Sequence, residues 1–469
     1  MDGALRPNVV NPATGFMSSN DPAVHIGLGR AKLIDELAVV WPDGHRQVFN
    51  RLAANKHYRI TRSEKAAPTK TAAKKDPLFA VRENFVGAPH KEKPFDDFAV
   101  QPLLPNKLSQ LGPGLAVGDL DGDGKDDFVV GSGSGEQPRV QLRNGGKLVW
   151  GWFKTGAPDA ECEDMAPLLF DADGDGDLDW YAVSGGVEQG ENTALLRDRL
   201  YVNISPGNYK KAAEGSMPDF QYSGSVAAAA EYDRDGDLDL FVGSRVLPGQ
   251  YPLSSPSVLL RNDSETPNEP RFAEVTGDVA PGLREAGMVT SALWSDANGD
   301  GWVDLLVTTE WGPIRTYLNR KGKLEDATEA SGLAGKTGWW NGLAARDFDN
   351  DGDMDYVATN FGLNTKYEPS EKKPSRIYYG TFGDEKEPHL IEAKVVGNQI
   401  LPVRGKSCSQ NAMPFVQRKF ATFHSFASAS LVDIYSDSAL SKATLFEVNT
   451  LTSSVLLNDG KGRFKLQSL

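Results

Sequence analysis

A nine-residue acidic pattern recurs five times in this chain and constrains its fold more than any other feature. The copies begin at Asp119, Asp171, Glu231, Asp296 and Asp347, at spacings of 52, 60, 65 and 51 residues. Each copy places acid or amide side chains at positions 1, 3, 5 and 9 and a glycine at position 6. A period of this length is typical of proteins built from stacked supersecondary units. The pattern therefore predicts a repeat protein.

The spacing of the oxygen-bearing side chains predicts calcium sites. Ca²⁺ takes about six to eight oxygen ligands, and alternate residues of a tight loop can direct their carboxylates towards one centre. The glycine permits a sharp bend, after which position 7 can offer its backbone carbonyl. Mg²⁺ fits this pattern less well because it prefers fewer protein ligands and keeps its waters. We therefore expect about five structural Ca²⁺ sites, with backbone-carbonyl ligands from Lys125, Asp177, Asp237, Trp302 and Asp353 and side-chain ligands from Asp119, Asp121, Asp123, Asp127, Asp171, Asp173, Asp175, Asp179, Glu231, Asp233, Asp235, Asp239, Asp296, Asn298, Asp300, Asp304, Asp347, Asp349, Asp351 and Asp355.

The residues around each loop exclude an EF-hand and favour strands. An EF-hand needs a bidentate Glu at position 12, and all five copies carry an apolar residue there: Val130, Ala182, Val242, Val307 and Ala358. Short apolar runs flank each loop on both sides, which is typical of strands. A second recurring unit, such as Val258–Asn262 or Arg315–Asn319, follows most loops. About four strands per repeat correspond to one propeller blade. The expected fold is an all-β, calcium-loop β-propeller, with seven blades favoured and six possible.

Charge and the pattern of apolar and turn residues divide the chain into three parts. Residues 1–62 contain short apolar runs broken by turns, including a Pro-Asp-Gly turn at 42–44, and predict a small β domain. Residues 63–94, rich in lysine near their start, are interpreted as a linker and lead-in. Residues 95–469 hold the repeats, with a partly helical insertion expected near 404–446. The net charge of −14 argues against nucleic-acid binding, and no apolar run is long enough to span a membrane.

The repeats resemble FG-GAP/VCBS-type repeats, the calcium-loop propeller blades also found in integrin α-subunits. The stretches Gly15–Ser19, Val24–Gly29 and Val39–Gly44 resemble parts of an ASPIC/UnbV domain. Together they resemble exported proteins related to the cartilage acidic protein family. The resemblance implies an extracellular, periplasmic or cell-surface location. Because relatives usually carry a signal peptide and a further propeller before this domain, it also implies an N-terminal truncation. Relatives often have another acidic loop at the place of 379–385, where Thr381 and Gly383 replace the needed carboxylates.

Two classes of function remain open from the sequence. The favoured interpretation is a non-catalytic binding or adhesion module for a glycan or protein ligand, without nucleic-acid partners. Trp294, Trp311, Trp339 and Trp340 are candidates for stacking on sugar rings, although packing between blades is the simpler explanation for them. The alternative is a polysaccharide-active enzyme with a site on the propeller-face loops. That alternative requires an acid/base pair that calcium does not engage.

Overall fold

The computed structural model describes residues 8–10, 23–63, 67–68, 90–144, 147–152 and 159–469. The chain separates into two compact units, Met1–Glu83 and Asn84–Leu469. In the described part of the chain, no helix combines the length and the apolar character that crossing a membrane requires.

The described core of the first unit is a small antiparallel sheet. Strand β1 (Leu33–Val40) pairs with β2 (His45–Ala53), and a short third strand, β3 (Ala67–Pro68), pairs with the start of β2. The connection between β1 and β2 contains the predicted turn, where Gly44 adopts a φ of +79°. The stretch Gly15–Ser19 lies outside the described residues, as does most of the predicted linker.

The second unit begins with helix α1 (Asp97–Val100) and contains five antiparallel groups of four strands, which we call blades 1 to 5; blades 4 and 5 are joined into one eight-stranded sheet, because Glu310 pairs with Trp339 and Gly312 with Gly338. In every blade the acidic loop connects the first strand to the second. Short 3-10 helices occur at Asp159–Glu161, Ala194–Leu196 and Pro281–Glu285, and helix α2 spans Thr276–Val279. Blade 1 comprises β4 (Leu115–Gly118), β5 (Asp127–Val130), β6 (Arg139–Asn144) and β7 (Lys147–Trp152); blade 2 comprises β8 (Asp164–Phe170), β9 (Asp179–Ser184), β10 (Arg199–Ser205) and β11 (Asn208–Lys211); blade 3 comprises β12 (Gly224–Ala230), β13 (Asp239–Ser244), β14 (Val258–Asn262) and β15 (Phe272–Glu274); blade 4 comprises β16 (Met288–Ser295), β17 (Asp304–Gly312), β18 (Arg315–Asn319) and β19 (Leu324–Asp326).

Blade 5 is divided in sequence by an insertion. Its strands β20 (Gly338–Arg346) and β21 (Asp355–Asn360) are completed by two strands from the end of the chain. The insertion, residues 361–453, contains a sheet of its own whose strands lie in the order β24, β23, β22 and β25. The inserted strands are β22 (Ser375–Gly380), β23 (His389–Val396), β24 (Gln399–Pro402) and β25 (Thr444–Val448); the inserted helices are α3 (Lys406–Ala412), α4 (Phe415–Lys419), α5 (Phe423–Ala427), α6 (Leu431–Tyr435) and α7 (Asp437–Leu440); the closing strands of blade 5 are β26 (Ser454–Asn458) and β27 (Phe464–Ser468).

The hydrophobic core lies in layers between consecutive blades. Because side chains alternate across a strand, each internal sheet buries both of its faces. Trp180 and Tyr201 of blade 2, for example, stack with ring centroids 4.6 Å apart and pack against Val129 of blade 1. Comparable clusters lie between blades 2 and 3, 3 and 4, and 4 and 5. The largest cluster joins the inserted sheet and helices to the 103–108 segment and to Trp311.

The seven blades favoured from the sequence are not confirmed. The described residues contain five blades with an acidic loop, and the inserted sheet is a further four-stranded sheet. The count of seven divides the length of residues 95–469, the insertion included, by the repeat period. Because the inserted sheet carries no acidic loop, that count stays a prediction.

Candidate metal centres

The first residue of each acidic loop folds the loop around itself. In blade 4, the Asp296 carboxylate accepts hydrogen bonds from the backbone N–H of Asp300 at 3.1 Å and of Gly301 at 2.8 Å. Glu231 holds the loop of blade 3 in the same way, through the N–H groups of Asp235 and Gly236. All five position-6 glycines have a positive φ, between +80° and +112°. L-residues other than glycine are strained there, which explains the glycine in every copy.

The last acid of each loop is buried and connects two parts of its blade. Asp304 accepts a hydrogen bond from the N–H of Ala297 in its own loop at 2.9 Å, and another from the N–H of Asn319 in the third strand at 2.7 Å. The sequence identified these acids only as metal ligands, whereas the structure adds a role in holding the loop against the sheet. The same paired bonds are made by Asp127, Asp179, Asp239 and Asp355.

Four loops bring three carboxylates close together. Within the described residues, three acids of each of these loops place one oxygen each within 4.8 Å of one another. Position 5 is outside the group in blades 1, 2 and 3, and position 9 is outside it in blade 5. Blade 4 forms no such group because an amide, Asn298, occupies position 3. The groups are Asp119, Asp121 and Asp127; Asp171, Asp173 and Asp179; Glu231, Asp233 and Asp239; and Asp347, Asp349 and Asp351.

Several loop carboxylates have raised pKa values and unpaired oxygens. Burial, together with neighbouring carboxylates, raises the pKa of Asp239 to about 8 and that of Asp179 to about 7. The position-7 side chains, for which only a carbonyl ligand was predicted, behave similarly: burial and adjacent loop acids raise the pKa of Asp237 to about 7 and those of Asp177 and Asp353 to about 6. The Oδ1 atoms of these three residues are buried without a hydrogen-bond partner.

This donor set fits a hard divalent cation. Asp173 is 93% buried and its Oδ1 also has no hydrogen-bond partner, although a buried, unpaired polar oxygen is costly. A cation bound among the oxygens would remove both that cost and the mutual repulsion of the carboxylates. Blade 1 differs in one respect, since Lys125 Nζ lies 2.5 Å from Asp123 Oδ2 and already neutralises part of its charge.

An asparagine in the third strand of each of blades 2 to 5 links that blade to the acidic loop of the preceding blade. Its Nδ2 donates to the backbone carbonyl of position 2 in the acidic loop of the preceding blade. The sequence had shown these asparagines only as part of a recurring unit; their contact with another repeat required the tertiary structure. The four bonds run from Asn203 to Leu120 at 3.2 Å, from Asn262 to Ala172 at 3.0 Å, from Asn319 to Tyr232 at 2.7 Å and from Asn458 to Ala297 at 2.8 Å.

The tryptophans considered as sugar platforms pack inside the protein. Trp340 is fully buried, and Trp311 and Trp339 are each 5% exposed. Trp294 is half-buried between blades 3 and 4 and donates its indole N–H to the carbonyl of Ala228 at 3.1 Å. Packing between structural elements therefore accounts for all four.

Sequence reasoning missed one acidic pair outside the loops. The carboxyl groups of Glu163 and Glu188 lie on the same side of Gly186, and Glu163 is only 4% exposed. Burial and the nearby charges of Glu188 and Glu92 raise the pKa of Glu163 to about 9. No motif marks these residues, because Glu163 precedes β8 and Glu188 follows β9, and the antiparallel pairing of these two strands brings them close.

The sheets and loops define a β-propeller whose repeats present acidic inter-strand loops. Comparison with family models agrees: residues 171–242 and 296–358 match the FG-GAP-like repeat, residues 111–141 match the FG-GAP repeat, and residues 2–67 match the ASPIC and UnbV family. The chain therefore contains FG-GAP repeats and an ASPIC/UnbV domain. The predicted link to the cartilage acidic protein family is not confirmed.

Solved structures with similar regions share little sequence with this chain. The exotype rhamnogalacturonan lyase YesX is 13% identical over 62% of this chain and 54% of its own, with a TM-score of 0.32. The Bacillus licheniformis rhamnogalacturonan lyase is 12% identical over 61% and 56%, also with a TM-score of 0.32. The V. cholerae biofilm matrix protein Bap1 is 12% identical over 76% and 66%, with a TM-score of 0.26. The chain spans little more than half the length of the two lyases, and no curated protein matches it.

Proposed function

We propose that this protein is a non-catalytic binding module whose propeller is stabilised by Ca²⁺ in its acidic loops. The observation that carries the proposal is the convergence of three carboxylates in each of four loops, beside which the loops hold buried, unpaired oxygens at Asp173, Asp177, Asp237 and Asp353 and raised pKa values at Asp237 and Asp239. The side chains at positions 1, 3, 5 and 9 and the carbonyls at position 7 would hold the cations. Bound Ca²⁺ would supply charge neutralisation and would cross-link each loop.

Calcium of this kind points to an exported protein. Extracellular calcium modules bind with dissociation constants of about 10⁻⁴ to 10⁻³ M, and such sites fill only where the free calcium concentration is high. We therefore place the working protein outside the cytosol, at the cell surface, in the periplasm or in the medium.

The ligand proposed for the module is a protein or a glycan. The burial of Trp311, Trp339 and Trp340 weakens the case for sugar stacking. Large exposed side chains, Phe361 at 46% and Leu363 at 71%, follow β21 at the start of the insertion. Apolar side chains of this kind suit a protein surface better than a sugar, which favours a protein ligand.

Calcium removal tests the proposal. We expect excess EDTA to lower the thermal unfolding midpoint and added Ca²⁺ to restore it, because a ligand bound only by the folded state adds about 1.4 kcal/mol per site at ten times its dissociation constant. Isothermal titration should count about five sites. An EDTA-treated protein with the same midpoint and no calorimetric Ca²⁺ binding would show the metal proposal to be wrong. Screening of glycans and proteins, each with and without calcium, then distinguishes the two ligand classes.

The alternative that the protein is an enzyme gains no specific support from Glu163 and Glu188, the pair that could act as catalytic acid and base. The charge of Glu188 acts on the Glu163 carboxyl group, and burial leaves Glu163 almost inaccessible. A glycosidase acid and base instead flank the scissile bond, about 5 Å or more apart.

A further inference from the structure

The acidic loops of blades 1 to 4 are each contacted by the blade that follows. The contact comes from the outer turn of that blade, by which we mean the connection between its third and fourth strands. In three of the four interfaces a glycine of the outer turn packs against position 3 of the loop. A Cβ added to that glycine would lie 3.3 to 3.8 Å from the Cβ of the position-3 residue. The pairs are Gly207 with Asp121, Gly322 with Asp233, and Gly462 with Asn298.

The acidic loop of blade 2 is contacted by a longer outer turn. The outer turn of blade 3 covers residues 263–271, whereas that of blade 4 covers only residues 320–323. It makes hydrogen bonds to the loop instead of a glycine contact. The backbone N–H of Asn268 donates to Asp173 Oδ2 at 2.6 Å, and Ser264 Oγ donates to the carbonyl of Ala172 at 3.2 Å. The turn of blade 3 is therefore bonded to positions 2 and 3 of the loop of blade 2.

This contact changes the environment of Asp173. In the other four loops, Oδ1 of the position-3 side chain accepts a hydrogen bond from the N–H of position 5 in the same loop. Asp173 is only 7% exposed, and its Oδ1 has no hydrogen-bond partner among the described residues. The other four position-3 side chains are half-buried or exposed. The bond from Asn268 thus fixes one oxygen of Asp173 and leaves the other, buried oxygen for a cation.

The loop of blade 2 is also prepared for a cation by its other acids. Asp171, Asp173 and Asp179 place one oxygen each within 4.8 Å of one another. Ligands that are already held in place need little ordering when the cation binds, and the attraction between charges is stronger where water is excluded. The loop of blade 3 carries acids at the same five positions, 1, 3, 5, 7 and 9. The cover over Asp173, rather than the number of carboxylates, therefore distinguishes the two loops.

The bond to Asp173 depends on the backbone conformation of Asn268. Its φ is +65°, in the left-handed region that asparagine and glycine tolerate better than other residues. The side chain of Asn268 is exposed. Residue 268 therefore contributes its N–H and its conformation to the loop, and its side chain can be replaced without disturbing the core.

We infer that Asn268 is a positioning residue for a cation in the acidic loop of blade 2, and that this loop binds Ca²⁺ more tightly than the other four. The inference rests on the function proposed above, because it takes Ca²⁺ as the cation of the loops. Partners that orient a metal ligand typically change metal affinity by about 10- to 100-fold when they are lost. A cation bound here would also strengthen the attachment of blade 3 to blade 2, since Asp173 is bonded across their interface.

Equilibrium dialysis of the full chain against limiting Ca²⁺ tests the inference. At the free calcium concentration where the wild type binds one ion per chain, Asn268→Val should bind much less, with an affinity for the first ion about 10- to 100-fold lower. The reason is that valine, being β-branched, disfavours a positive φ, so the N–H no longer points at Asp173. Asn268→Gly keeps both the conformation and the N–H and should bind the first ion as the wild type does.

Two further variants separate a local effect from a general loss of stability. Asn192 is also exposed, has a φ of +53° and lies in the connection between β9 and β10, at the end of β9 opposite the acidic loop. Asn192→Val carries the same backbone strain and should leave calcium binding unchanged. Asp171→Asn removes a ligand of the same loop and should abolish the tight binding, and adding Asn268→Val to it should cause no further loss. Circular dichroism establishes that each variant is folded.

The outcomes distinguish this inference from the proposed function. A wild type that binds no Ca²⁺ would overturn the proposed function and this inference with it. A wild type that binds Ca²⁺ while Asn268→Val keeps the full affinity for the first ion would overturn this inference alone. Equal affinities at all the sites of the wild type would do the same.

Discussion

Asn319 in the third strand of blade 4 donates its side-chain N–H to the carbonyl of Tyr232 in the acidic loop of blade 3, across 2.7 Å. The same amide group also reaches the carbonyl of Val303 in its own blade at 3.0 Å. The Asn319 side chain therefore connects the acidic loop of blade 3, and with it blade 3, to blade 4. This arrangement couples the metal centres to the packing of the propeller.

Loss of this asparagine should destabilise the protein. Asn319→Ala leaves two buried carbonyls without their donor, and unsatisfied buried groups cost about 1–3 kcal/mol each. We expect a fall of about 2 kcal/mol in the free energy of unfolding measured by urea denaturation. Arg143→Ala is the matched control, because Arg143 occupies the same strand position in blade 1 and its exposed side chain makes no bond of this kind. A loss of equal size in both variants would contradict the role assigned to Asn319.

The position-6 glycine should be required for backbone reasons alone. Gly236 has a φ of +112°, and a Cβ added there would meet no atom within 4 Å. Gly236→Ala should therefore lower stability by about 1–2 kcal/mol through strain without any steric clash. Gly335→Ala serves as the control, since its φ is not in the left-handed region and its surroundings are also open. Thermal unfolding in EDTA separates this strain from lost calcium binding, and equal midpoints for the two variants would refute the strain argument.

The Glu163–Glu188 pair should make stability fall as the pH rises. Burial and neighbouring carboxylates hold the pKa of Glu163 near 9, well above its ordinary value. Between about pH 5 and pH 9 the folded protein thus binds more protons at this site than the unfolded chain does, so the free energy of unfolding decreases with increasing pH. Glu163→Gln removes the titrating group and should flatten this decrease, most clearly at the alkaline end. The thermal midpoint measured against pH in both proteins provides the check; parallel profiles would rule out Glu163 as the source.

The two cysteines should differ sharply in reactivity. Both are free thiols, but Cys162 is 4% exposed, and its burial raises the pKa of the thiol, whereas Cys408 is exposed on α3. Since the thiolate is the reactive form, a thiol reagent should modify one cysteine in the native protein and both after denaturation. Cys408→Ser should remove the fast reaction and leave the slow one. Rapid modification of two thiols in the native state would contradict the buried position of Cys162.

The acidic loops were predictable because their information is local. A carboxylate at position 1, a glycine at position 6 and a buried acid at position 9 are dictated by the hydrogen bonds within a nine-residue turn, as the bonds of Asp296 and Asp304 show. The strands on either side were predictable for the same reason, since alternation and apolar runs are short-range properties. The family resemblance rested on the same residues.

The repeat, its strands and its candidate ligands were thus predictable, because they depend on neighbours within about ten positions. The tertiary structure was needed to show which blade supports which loop, where the four tryptophans lie, and that two strands from the end of the chain complete blade 5. These features depend on packing between segments far apart in the chain, as the hydrogen bond from Asn458 to the carbonyl of Ala297 shows. Such contacts form when the sheets pack against one another around hydrophobic clusters, and no local sequence pattern encodes them.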